Sequence, residues 1–195
     1  MTSQHQNPVA LDLPPGELSP EMTAYFAKCE EKIGFVPNVL RAYAHDNAKL
    51  EAFSGFYNNL MLAPSGLSKL EREMIAVAVS AHNRCHYCII AHGAAVRMLA
   101  GDADLGDTLS VNYRAASLPP RQRAMLDFAV KMARASDEII EGDRQALRDA
   151  GFSDTDIWDI AAVAGFFSMS NRVASATGMR PNADYSVMGR PTGAK

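Results

Sequence analysis

The sequence predicts an all-α fold, and three observations carry that expectation. Apolar residues recur with helical spacing from Glu21 to Ala176. Proline, glycine and capping residues cut this stretch into helix-sized pieces. No run alternates apolar and polar residues in the manner of a strand.

The elements follow in order. Glu21 to Ile33 has helical periodicity and stops at Gly34, a residue suited to end a helix. Gly34-Phe35-Val36-Pro37-Asn38 reads as a turn, followed by a short helix from Val39 to Ala44 and a longer one from Ala48 to Met61. Pro64-Ser65-Gly66 breaks the chain. Ser68 opens the next helix, with Glu71 in capping-box spacing, and that helix runs through Ala81. Another begins near Cys85 and ends before Gly101; nothing is assigned between Gly101 and Pro119. Pro119 and Pro120 start a helix continuing over Arg121 to Ala135, Asp143 to Asp149 is short and closed by Gly151, and Ser153 with Asp156 opens a last long helix to about Ala176. Residues 1–19 read as an extended arm and residues 178–195 as an irregular tail, flanking one helical domain over residues 20–177. Leu67–Ala78 and Leu118–Ala129 align faintly, as a duplicated helical unit or as a chance match of amphipathic helices; Glu73 of the first stands opposite Ala124 of the second.

Composition narrows the function. A chain of 195 residues buries enough surface to fold without disulfides, and its three cysteines do not make a secreted disulfide scaffold. A net charge of −3 lacks the basic excess of a nucleic-acid protein. Met1 to Pro20 has no signal-peptide pattern and no stretch approaches the roughly 20 apolar residues of a membrane span, so a cytoplasmic protein with reduced thiols is expected, without membrane or nucleic-acid partners. No glycine-rich phosphate loop is present, so no nucleotide cofactor is expected.

The chemistry concentrates between Glu73 and His92, a segment holding Glu73, Ser80, His82, Cys85-His86-Tyr87-Cys88 and His92. Cys85 and Cys88 stand where a helix begins, where unpaired amides and the helix dipole favour a thiolate. Their spacing lets the two sulfurs meet across the first turn. Cys88 and His92 are one helical turn apart and share a face, so the imidazole can take the thiol proton. Glu73 lies on a nearly apolar face continued by Ala76, Val77 and Ser80, where a carboxylate needs a partner. His92 is the expected partner: Glu73 would orient the ring or accept its proton. Zinc is the main rival reading, with Cys85, Cys88 and His92 as three ligands and His82, His86 or Glu73 as a fourth, but a second C-x-x-C is lacking and no metal is expected. Cys29, near Phe26 and Ile33, reads as a buried small hydrophobe, His45 as a surface residue, the ten methionines as core filling and Trp158 as a packing residue.

Glu73, Cys85-x-x-Cys88 and His92 together resemble the active-site motif of the AhpD-like alkylhydroperoxidases, within the carboxymuconolactone decarboxylase superfamily. Gly34 to Asn38, the Asn83 to Cys88 segment and Ala150 to Ser153 are similar to its subgroup of peroxidase-related enzymes, and the likeness covers about Glu21 to Gly178. The resemblance implies an AhpD-like helical bundle assembled as a trimer or hexamer. It also implies a peroxidase without haem, flavin or metal, acting on a hydroperoxide and regenerated by a thiol or dithiol. Cys88 would attack, Cys85 would be the more exposed resolving cysteine through which the reductant enters, His92 would relay the proton and Glu73 would stand behind it as base. The well-studied members of the family carry a His immediately before the second cysteine, where this chain has Tyr87, which donates a hydrogen bond but is no base near neutral pH. The alternatives are a thiol–disulfide oxidoreductase, a carboxymuconolactone decarboxylase-like enzyme, and a zinc-bound or redox-sensing helical module.

Overall fold

The computed structural model describes residues 7–191; the outermost parts of the arm and tail, residues 1–6 and 192–195, lie outside the described residues. Among the described residues there is no strand. The described residues form nine α-helices in succession: α1 Pro20–Ile33, α2 Asn38–Tyr43, α3 Asn47–Leu62, α4 Lys69–His82, α5 His86–Ala100, α6 Ala103–Asn112, α7 Pro120–Arg134, α8 Glu141–Asp149 and α9 Asp154–Ala176. Three 3-10 turns, Tyr113–Ala115, Ser136–Glu138 and Ala183–Ser186, are also formed among the described residues.

The helix ends obey local chemistry. Ser19, Asp46, Ser68, Asp102 and Ser153 each accept an amide of the first turn through the side chain, satisfying a donor the helix leaves open. Ser68 and Glu71 form a full capping box, as do Ser153 and Asp156. Gly34 ends α1 in the left-handed region.

Helix α4 is the axis of the molecule. It packs against α5, α6, α7 and α9, and every residue from Glu71 to Ser80 is buried. Its charged residues survive burial because each is engaged. Glu71 accepts the Ser68 amide and pairs with Arg121. Arg72 donates to the carbonyls of Leu60 and Ala63 at 3.1 and 2.8 Å and so closes the end of α3. Glu73 has His92. Unpaired, each would carry a desolvation penalty of several kcal/mol. The two aligned segments Leu67–Ala78 and Leu118–Ala129 become α4 and α7, which pack side by side.

Three features differ from the sequence reading. Helix α6 fills the interval left unassigned. Its glycine obscured it: at Gly106 a Cβ would come within 2.5 Å of the Arg97 side chain and 2.9 Å of the Gly93 carbonyl, so glycine is needed for α5 and α6 to approach. Trp158 is 75% exposed, not a packing residue, because α9 turns Ile157 and Ile160 inward and the ring outward. The tail is not merely irregular. The Arg180 amide donates to the Pro8 carbonyl of the arm at 2.9 Å, a 3-10 turn forms at Ala183–Ser186, and the buried Arg97 holds the carbonyls of Tyr185 and Met188 at 2.7 and 2.9 Å. Arm, tail and the first half of α5 share a second core containing Val9, Phe35, Tyr87, Cys88 and Met179.

Leu126 is fully enclosed, so Leu126→Ala is expected to cost about 2–5 kcal/mol in chemical denaturation. Trp158→Ala is expected to change stability by no more than about 0.5 kcal/mol, and a clearly larger loss would mean that another chain covers the ring.

Candidate active site

Two residues, Asn83 and Arg84, separate α4 from the cysteine pair. Arg84 adopts φ 55°, a left-handed conformation that reverses the chain at once, and the Cys85 amide closes the turn on the Ser80 carbonyl at 3.0 Å. Cys85 is therefore the N-cap of α5, and Cys88 sits in its first turn. Both are free thiols and both are buried, Cys85 1% and Cys88 2% exposed. The expectation that Cys85 is the more exposed of the two is thus not met: packing of α9 over the start of α5 covers it.

The two sulfurs are chemically unequal. Cys85 is lowered to about 6, chiefly by a hydrogen bond from Cys88, working against burial and helped by the Cys88 amide, Ser175 and Asn171. Cys88 is pushed well up, because the neighbouring Cys85 already carries the charge and because it is itself buried. The pair thus holds one proton and one negative charge near neutral pH. Asn171 faces both sulfurs and is fixed by two hydrogen bonds, donating to Ser80 Oγ and accepting from Asn83 Nδ2, each at 2.9 Å.

Across from the pair, His92 Nδ1 lies 2.6 Å from Glu73 Oε2, and both side chains are buried. A carboxylate accepts only, so the proton of this bond is on Nδ1, which leaves Nε2 free of Glu73. The edge of Phe167, 4.5 Å away centroid to centroid, holds the ring in place.

Cys88, His92 and Glu73 open onto one cavity of about 300 Å³; Cys85 is not among its walls. The walls are mainly apolar and aromatic, with Phe53, Phe166 and Phe167 on one side and Tyr185 and Met188 of the tail on another, and include no Lys or Arg. Cys29 also lines the cavity and is half-buried, which corrects its reading as enclosed core; burial raises its thiol above the ordinary value.

The remaining candidates are placed as follows. Tyr87 lines the cavity, but its hydroxyl accepts the Val39 amide at 3.0 Å, so it braces α5 against α2. Ser80 acts behind the sulfurs, through Asn171. His82 and His86 are exposed. Among the described residues no three His, Cys, Asp or Glu side chains are grouped to hold a metal ion, so the ligand set of the zinc reading is not assembled. Sequence reasoning missed Asn171, Ser170 and Ser175 of α9, which lie too far along the chain for local spacing to reveal. The one available signal was the pair Ser170-Asn171 on the buried face of an apolar helix.

Residues 48–116 match the carboxymuconolactone decarboxylase family. An uncharacterized peroxidase-related protein from Silicibacter sp. TM1040 is 61% identical, with a TM-score of 0.92 over 97% of this chain and 100% of its own. An uncharacterized peroxidase-related protein with an alkylhydroperoxidase AhpD core, from Ralstonia eutropha JMP134, is 48% identical, with a TM-score of 0.87 over 91% of this chain and 95% of its own. The debrominase Bmp8 shares the fold, at 18% identity and a TM-score of 0.72 over 87% of this chain and 90% of its own. None of the curated proteins compared matches the chain.

Thiolate absorbance in Cys29→Ser protein is expected to rise by one thiolate with a midpoint near 6. Cys88→Ala removes the main donor to Cys85 and should move that midpoint toward the ordinary thiol value of about 8.5. An unmoved midpoint would assign the effect to the helix start alone.

Proposed function

Since the chain belongs to the carboxymuconolactone decarboxylase family, with AhpD-like peroxidase-related proteins as its near relatives, we propose that it is a thiol-dependent peroxidase whose cavity takes a hydroperoxide with an apolar, uncharged body. The single observation that carries this reading is the sharing of one apolar cavity by Cys88, His92 and Glu73, with a second thiol, Cys85, directly behind. A substrate carrying its own carboxylate would meet Glu73 and no cation among the cavity walls.

The reaction runs in balanced steps. Cys88 gives its proton to His92 Nε2, and its sulfur attacks the terminal oxygen of the hydroperoxide. The O–O bond breaks. The leaving alkoxide takes the proton from His92, and Cys88 is left as a sulfenic acid. Glu73 holds the tautomer and stabilises the imidazolium while it lasts. Cys85, already a thiolate, then attacks the Cys88 sulfur and displaces hydroxide, giving the Cys85–Cys88 disulfide. Regeneration needs an external thiol or dithiol. Its site of attack is Cys88, in place of the Cys85 route expected from the sequence, because Cys88 borders the cavity and the more acidic Cys85 is the better leaving group.

In steady-state assays with cumene hydroperoxide and dithiothreitol, Cys85→Ser and Cys88→Ser are each expected to abolish turnover. Glu73→Gln and His92→Asn should lower it by about 10²- to 10⁴-fold. Full activity in either cysteine variant, or activity that survives complete thiol alkylation, would overturn the peroxidase reading and leave a cysteine-independent reaction of the wider family.

A further inference from the structure

Four tyrosines line the cavity, and three are already employed. Tyr25 donates to Asn58 Oδ1 at 3.0 Å. Tyr87 accepts the Val39 amide at 3.0 Å, and the Tyr185 hydroxyl is set toward that of Tyr87, each shifting the other's ionisation. Tyr57 is different. Among the described residues its hydroxyl makes no hydrogen bond, although it lines the same cavity as Cys88, His92 and Glu73. Its ring is fixed by a stacked contact with Phe53 at 6.4 Å and a tilted one with Phe166 at 6.0 Å, so it is held in the wall.

The site needs such a donor. When the O–O bond breaks, negative charge develops on the alkoxide oxygen inside an apolar enclosure. No Lys or Arg borders that space, so hydrogen-bond donors must meet the charge. His92 supplies one, but only after receiving the Cys88 proton. An uncommitted O–H in the same wall can act from the start. The hydroxyl is also kept un-ionised: burial, then the charge of Glu73, hold it well above the ordinary phenol range. It therefore donates a hydrogen bond without losing its proton.

We propose that Tyr57 is a catalytic residue of this site, its phenolic O–H donating a hydrogen bond to the alkoxide oxygen of the hydroperoxide as the O–O bond breaks. The bond made and the bond broken are those of the peroxidase step; the phenol proton stays on Tyr57, and His92 delivers the proton that completes the alcohol. This inference rests on the peroxidase reading.

Single-turnover oxidation of the reduced protein tests it, with Tyr57→Phe against wild type and a series of hydroperoxides whose alcohols differ in acidity. Loss of a hydrogen bond to a charged oxygen predicts oxidation slower by about ten- to a hundredfold. It also predicts a steeper dependence of rate on alcohol acidity in the variant, because an unassisted alkoxide leaves according to its own stability. Reduction of the Cys85–Cys88 disulfide by dithiothreitol and the thiolate absorbance midpoint should be unchanged, which a merely structural role would not guarantee. Equal oxidation rates, or a slower rate with an unaltered acidity dependence, would overturn the assignment while leaving the peroxidase reading intact. If wild-type thiols do not react with any hydroperoxide of the series, the peroxidase reading fails and this inference falls with it.

Discussion

The hydrogen bond of 2.6 Å between Glu73 and His92 is the constraint on which the site depends. It joins the most enclosed helix, α4, to the helix that carries the cysteines. A carboxylate in the middle of a fully buried helical face is tolerable only if its charge is met, and the imidazole meets it. In return the carboxylate fixes the proton on Nδ1 and leaves Nε2 as a base on the face His92 shares with Cys88. Fold and chemistry therefore rest on one contact. The helix pair that buries Glu73 also brings His92 into the cavity beside Cys88.

The second determinant is the inequality of the two sulfurs. Cys85 stands at the N-cap of α5, where Cys88, the Cys88 amide, Ser175 and Asn171 together favour its thiolate. Cys88 lies one turn in, borders the apolar cavity, and keeps its proton because its neighbour has lost one. This division suits a two-step cycle. In the proposed cycle the sulfur that would meet substrate is at the cavity wall, and the sulfur that would follow it is the more acidic one. Asn171, anchored by Ser80 and Asn83, makes that arrangement a property of three helices rather than of the motif alone.

Much of this was legible in the sequence because it is local. Helices announced themselves through periodicity and through caps such as Ser68 with Glu71 and Ser153 with Asp156. The C-x-x-C at a helix start and the one-turn spacing from Cys88 to His92 are also local rules. Contributions from distant elements were not legible. Asn171 comes from α9, Tyr57 from α3, Tyr185 and Met188 from the tail, and no spacing rule links them to Cys88. Helix α6 escaped notice because Gly106, which its packing on α5 requires, reads locally as a helix breaker. Trp158 and Cys29 were misread for a related reason. An apolar neighbourhood in sequence does not fix the direction in which one side chain points, and only the packed helices do so.

The central claim is that Cys88, the sulfur at the cavity wall, attacks the hydroperoxide, although Cys85 is the more acidic of the pair. Trapping the first oxidised species tests this most directly. Each single cysteine variant, in a Cys29→Ser background, is treated with one equivalent of cumene hydroperoxide and a small sulfenic-acid reagent, and the labelled residue is located by mass spectrometry. The account predicts label on Cys88 in the Cys85→Ser protein and little or none on Cys85 in the Cys88→Ser protein. Label on Cys85, with Cys88 left unmodified, would contradict it.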